Sequence, residues 1–83
     1  MGTAVKLMNW RDHIEFRPEV LTGMPVVKGT RIAVELVLQL LAADCATDEI
    51  LANYPGLTSE DVRACVAYAA DLVGSERVYP LAG

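Results

Sequence analysis

The residues best able to do chemistry in this chain are one histidine, His13, two cysteines, Cys45 and Cys65, and eleven carboxylates. A zinc centre takes about four ligands at closely paired spacings. Here the cysteines stand 20 residues apart with no CxxC, and no second histidine supports them. They read as reduced thiols, with Cys65 a small core residue on an apolar helix face. No Ser or Cys has a base at a recognisable motif spacing from His13. The carboxylates gather where helices are predicted to start, and capping with the helix dipole accounts for them there. Gly23 and Gly29 sit beside Pro25 and Thr30 in turns, outside any phosphate-cradling GxGxxG pattern. The expectation is a protein that is not an enzyme and holds no cofactor or metal.

Cations give more. The net charge is −4, which argues against a general polyanion binder. The balance is uneven: residues 1–31 hold five Lys and Arg against three carboxylates, and residues 32–83 hold two against eight. Two halves of opposite sign should face different things. Arg17, Lys28 and Arg31 lie in the basic half, and a two-stranded ribbon carrying them could enter a major groove, doubled in a dimer. In the bland alternative Arg31 pairs with Glu35, one helical turn on. Arg63 is a further DNA-contact candidate, but Glu60, Asp61 and Asp71 share its helix and would repel phosphates. For Arg63 the plainer reading is a solvated residue paired with Glu60 or Asp61.

The elements that position these residues follow from spacing. His13–Arg17 alternates apolar and polar like a half-buried strand, and Pro18 ends it. Val26–Lys28 is a short β-branched run, and Lys28-Gly29-Thr30 can turn it back so that Arg31-Ile32 lies alongside. A first helix is predicted over Ala33–Ala43, with Val34, Val37, Leu38 and Leu41 in one stripe and Leu36 and Leu40 pointing elsewhere. A helix apolar on nearly all sides is expected to be buried on nearly all sides. A short second helix is predicted with Thr47 as cap and Ile50, Leu51 and Tyr54 inward, stopped by Pro55-Gly56. Leu57–Val73 carries the clearest grammar. Thr58 and Asp61 form a capping box, and Leu57 and Val62 a hydrophobic staple. Val62, Cys65, Val66, Ala69, Leu72 and Val73 share one face, and Gly74 is a plausible stop. The last two helices form a helix-turn-helix unit.

The run GMPVVKGTRIAVE at residues 23–35, followed by TDEILANYPGLTSEDVRACVAYA, resembles the domain-of-unknown-function 433 family over about residues 14–73. That resemblance implies a homeodomain-like three-helix protein preceded by small strands. It also implies the antitoxin half of a bacterial toxin–antitoxin pair, with a PIN-like nuclease as companion. Two positions depart from the pattern: Ala33 replaces a helix-starting proline and Met24 a common basic residue. A PIN-like nuclease gathers carboxylates around a metal, so an inhibitor can place a cation there. Arg77, flanked by Val78, Tyr79 and Leu81, is the candidate. Alternatively, the acidic helices could meet a basic toxin surface.

The expected organisation is one domain over residues 1–83: a β segment at 13–32, a three-helix bundle at 33–73 and a tail at 74–83. With 53% apolar residues in so short a chain, surplus apolar surface points to a partner, most simply a second copy. Leu36, Leu40, Val62, Val66 and Leu72 are the candidates for core or dimer contact. The absence of an apolar run of ~18 residues and of a signal-peptide core leads to the expectation of a soluble cytoplasmic protein. The leading functional expectation is a non-catalytic antitoxin that can repress its own operon. The alternatives are a helix-turn-helix regulator and a protein-interaction module without a toxin.

Overall fold

A computed structural model of the chain describes residues 8–75. In order it has a 3-10 turn (Trp10–Asp12), strand β1 (Ile14–Phe16), a second 3-10 turn (Leu21–Gly23), strand β2 (Pro25–Val27) and three helices. These are α1 (Val34–Ala42), α2 (Thr47–Asn53) and α3 (Ser59–Ser75). The small N-terminal sheet followed by a three-helix bundle is the architecture that the sequence implied.

β1 and β2 pair antiparallel, with Ile14 opposite Val27 and Phe16 opposite Pro25. The chain then turns as expected: Thr30 N–H donates to Val27 O at 3.0 Å, and Val27 N–H to Ile32 O at 2.9 Å. Gly29, at φ +80, holds the second central position of that turn, where a type II geometry demands left-handed backbone. Three-residue strands have too little ladder to stand alone. Ile14, Val26 and Val27 are therefore buried, and the first and last of these join the cluster formed with Val34, Val37, Ile50, Leu57, Val62 and Cys65.

α1 is less enclosed than its composition suggests. Val34 and Val37 are buried, whereas Leu38, Leu40 and Leu41 are half-buried against the core and Leu36 is half-buried beside it. Its end was not anticipated: Asp44 takes φ +69, with its N–H on Leu41 O and the Cys45 N–H on Leu40 O, both at 3.0 Å. This is a Schellman closure with aspartate where glycine is usual.

α2 begins one residue earlier than predicted. Ala46, not Thr47, is the cap, and Glu49 reaches back to accept the Ala46 N–H at 3.1 Å. Inward Ile50, Leu51 and Tyr54 are as expected.

α3 keeps its box: Asp61 N–H donates to Thr58 Oγ1 at 3.1 Å and Thr58 N–H to Asp61 Oδ2 at 3.0 Å. Leu57 and Val62, the staple pair, are both buried. Two expectations are corrected. The helix runs through Gly74 to Ser75 instead of stopping there. Val66, Leu72 and Val73 are 46, 51 and 70% exposed, and Ala64 and Ala67 take buried places on the helix instead. At 17 residues α3 far outruns the 9 of α1 and the 7 of α2, so its last turns have little to lie against.

Candidate protein-interaction face

Where α3 outruns the bundle, the N-terminal turn comes up beside it. Asn9 Oδ1 accepts the Arg11 N–H at 3.2 Å, and the His13 N–H closes on Trp10 O at 2.9 Å. That turn holds the Trp10 indole against α3, where its Nε1–H donates to Asp71 Oδ2 at 2.7 Å. Tyr68 stands edge-on to Trp10 with ring centroids 4.9 Å apart at 84°, and Phe16 is tilted against Tyr68 at 6.1 Å. The Arg11 guanidinium lies 4.4 Å over the Trp10 ring, in cation–π contact. Trp10, Arg11, Tyr68, Asp71 and Leu72 line a cleft of about 360 Å³.

On α3, Asp71 and Leu72 stand three and four residues after Tyr68 and so share its side of the helix. The cleft has aromatic and aliphatic walls, one carboxylate and one guanidinium. Phe16, 51% exposed, extends the apolar strip past Tyr68. Rigid aromatics around a small depression suit the insertion of an apolar or amphipathic side chain from another protein. No motif spacing in the sequence marks Trp10 as part of a site. Its indole N–H, which when buried needs an acceptor, was the available signal for a carboxylate partner.

The basic candidates separate. Arg17 is committed internally: its Nε lies 3.2 Å from Glu15 Oε2, and its Nη2 donates to Thr30 O at 3.4 Å. Glu15 Oε2 also accepts the Gly29 N–H at 3.1 Å, so the pair ties β1 to the turn. Lys28 and Arg31 are exposed on that turn, and Arg63 is exposed on α3. Among the described residues no ion pair involves these three, so neither the Arg31–Glu35 pair nor an Arg63 pair with Glu60 or Asp61 forms. The structure therefore brings Arg17, Lys28 and Arg31 to one turn and leaves Arg63 on a separate element. Arg77, Val78, Tyr79 and Leu81 lie outside the described residues. Of the core or dimer candidates, Val62 is buried, Leu36 and Leu40 half-buried, and Val66 and Leu72 exposed.

His13 is not isolated: its Nδ1 lies 2.9 Å from Asp61 Oδ1. Both thiols are free. Burial, and then the Asp61 charge, push the Cys65 thiol up to about 12. Partial burial and then the nearby Glu49 and Asp44 carboxylates raise that of Cys45. Among the described residues no group of three His, Cys, Asp or Glu side chains is placed to hold a metal, and no helix is long and apolar enough to cross a membrane.

Residues 14–69 match the family model described as "Protein of unknown function (DUF433)". The chain belongs to the DUF433 family. A relative from Sinorhizobium fredii (strain NBRC 101917 / NGR234), described as uncharacterized protein y4eO, is 35% identical over 71 residues. That alignment takes in 83% of this DUF433 chain but 32% of the relative, so the chain spans about a third of the relative's length. A crystal structure of a DUF433 member from Anabaena variabilis ATCC 29413 is similar, with a TM-score of 0.69 and 34% identity. It covers 74% of this chain and 60% of that one. The family segment holds the sheet, α1, α2 and most of α3. Trp10, Arg11, Asp71 and Leu72 flank it on both sides, so four of the five cleft residues lie beyond the matched span.

Proposed function

We propose that this DUF433 chain is the non-catalytic antitoxin of a bacterial toxin–antitoxin pair, and that it grips a PIN-like nuclease in the cytoplasm through the aromatic cleft. One observation carries the binding half of this reading: Trp10, Tyr68 and Phe16 stand side by side next to exposed Leu72. That strip has the composition of an interface hot spot: Trp10 and Tyr68 lean on the core with one side, and Phe16 and Leu72 beside them stay exposed. The toxin half rests on the family resemblance. An adjoining or overlapping gene for a short nuclease identifies the partner to use.

The test is growth rescue and direct binding with that nuclease. Leu72→Asp with Phe16→Asp should weaken binding at least tenfold and abolish rescue while thermal melting stays near the wild type. A central hot-spot truncation costs about 2 kcal/mol or more. Undiminished neutralisation by the folded double variant rules out the cleft as the grip.

A second reading has its own observation. Lys28 and Arg31 are exposed on a turn fixed by Glu15 and Arg17, with no carboxylate paired to them among the described residues. Unneutralised cations on a turn whose backbone is held suit phosphate contact, as an operator-binding regulator or autorepressor needs.

A further inference from the structure

α3 is apolar on two sides. Val62, Cys65 and Tyr68 turn toward the bundle, and the aromatic cleft continues that side toward Leu72. Well around the helix, Val66, Ala70 and Val73 recur at steps of four and three, and all three are exposed. This is the spacing of a two-helix seam, narrower than a core-facing stripe. Arg63, also exposed, continues the same spacing toward the N-terminus.

We infer that a second copy of this chain docks on this outer face, with the two α3 helices antiparallel about a two-fold axis. The seam is self-complementary in that arrangement, as an isologous contact must be. An alignment centred on residue 68 sets Val66 against the partner's Ala70, Ala70 against the partner's Val66, and the aliphatic stem of Arg63 along the partner's Val73. Charge matches too. Arg63 has no carboxylate partner among the described residues, and the last turn of α3 has no basic residue. Antiparallel docking carries each guanidinium to the carbonyl-rich C-terminal end of the other helix, where a cation is favoured. Ala67 and Ala69 beside the seam let the helices approach closely.

Area sets the strength. From Arg63 to Val73 the seam is roughly 15 Å long, and it hides well below the ~800 Å² per partner of a standard interface. So small a seam makes a weak, reversible dimer. The seam lies on another side of α3 from the cleft, so the dimer stands or falls independently of the toxin-binding proposal.

Sedimentation of the purified full chain from about 10 µM to 1 mM tests this directly. Its weight-average mass should climb toward twice the monomer. Val66→Glu with Val73→Glu, both exposed positions, should stay monomeric with near-wild-type melting, the dissociation constant rising at least tenfold. Should that variant fail to fold, disulfide trapping decides. Relative to the oxidised wild type, Val66→Cys with Ala70→Cys should give a covalent dimer, and Ala70→Cys alone should give little. A wild type monomeric at 1 mM overturns the inference. So does unaltered association of the folded glutamate variant, or trapping as efficient through Ala70→Cys alone. Loss of nuclease binding in the glutamate variant of a strictly monomeric wild type would assign the seam to a different protein.

Discussion

His13 Nδ1 lies 2.9 Å from Asp61 Oδ1, while the other oxygen of the same carboxylate accepts the Thr58 N–H at 3.0 Å. A carboxylate can only accept, so Nδ1 carries the proton. One side chain thus closes the start of α3 and fastens it to the residue that precedes β1. Both groups are mostly shielded from water, which strengthens the bond relative to an exposed pair.

Removing Asp61 should accordingly cost more than removing a cap alone. Asp61→Ala loses half of the capping box and leaves His13 unpaired, for a total of about 2–3 kcal/mol. His13→Ala should cost about 1 kcal/mol. Urea unfolding of both single variants and the double should give a coupling of about 0.5–1.5 kcal/mol. Strict additivity would show that the contact contributes nothing.

Cys65 makes stability depend on alkaline pH. Its folded thiol titrates near 12, because it is buried and faces the Asp61 charge, whereas an unfolded cysteine ionises near ~8.5. The unfolded state therefore gives up its proton first as pH rises. The stabilisation is complete below the unfolded value and is lost progressively as pH climbs toward 12. Cys65→Ala should cost about 1 kcal/mol at pH 7 through lost packing, yet should fall less steeply than the wild type between pH 8 and 10.5. Equal slopes in urea midpoints for the two proteins would exclude this origin.

Much of this was legible where the cause is local. The Thr58–Asp61 box and the Leu57–Val62 staple need only residues three to five apart, and both formed. Thr suits both the cap and the first turn, and only backbone angles separate them, which is why spacing points to Thr47 where the structure has Ala46. Val66 and Leu72 were assigned by periodicity, which says which way a side chain points but not whether a neighbour reaches it. The aromatic cleft was out of reach for another reason: Trp10 and Asp71 are 61 residues apart, and no spacing rule links them. The turn at Lys28-Gly29-Thr30 was legible, and Lys28 and Arg31 are exposed on it. The internal engagement of Arg17 was not legible, since it depends on where the Thr30 carbonyl points.

That difference among the arginines separates two effects on DNA binding. Lys28→Ala with Arg31→Ala removes two exposed cations from each chain and should leave the fold intact. If the turn meets phosphates, affinity for the upstream operator should drop at least tenfold, and the slope of log K against log salt should flatten by about 2 per chain. Arg17→Ala should instead lower the melting temperature, because it releases Glu15 and the Thr30 carbonyl. Electrophoretic shifts across a salt series check the first, and a thermal melt the second. Unchanged affinity and slope in the double variant would remove the regulator reading.

The C-terminal closure of α1 offers a stabilising change. Asp44 occupies the left-handed position at φ +69, where a side chain costs about 1 kcal/mol. Its carboxylate also sits at the negative end of the helix dipole, unfavourable by about 0.3–1 kcal/mol. Asp44→Gly removes both penalties and keeps the two closing bonds, which come from the backbone N–H groups of Asp44 and Cys45. Against this stands the greater freedom of glycine in the unfolded chain, about 0.4–1 kcal/mol. The balance favours the folded state by about 0.5–1 kcal/mol, raising the melting temperature by roughly 3–6 °C in a domain of this size. Gly29→Ala is the matching control. Nothing lies within 4 Å of the added methyl group, so its cost is the φ of +80 alone, and it should destabilise by about 1–2 kcal/mol. Calorimetry of the two variants should therefore move in opposite directions. A lower melting temperature for Asp44→Gly would mean that the aspartate side chain, rather than the backbone closure, holds the end of α1.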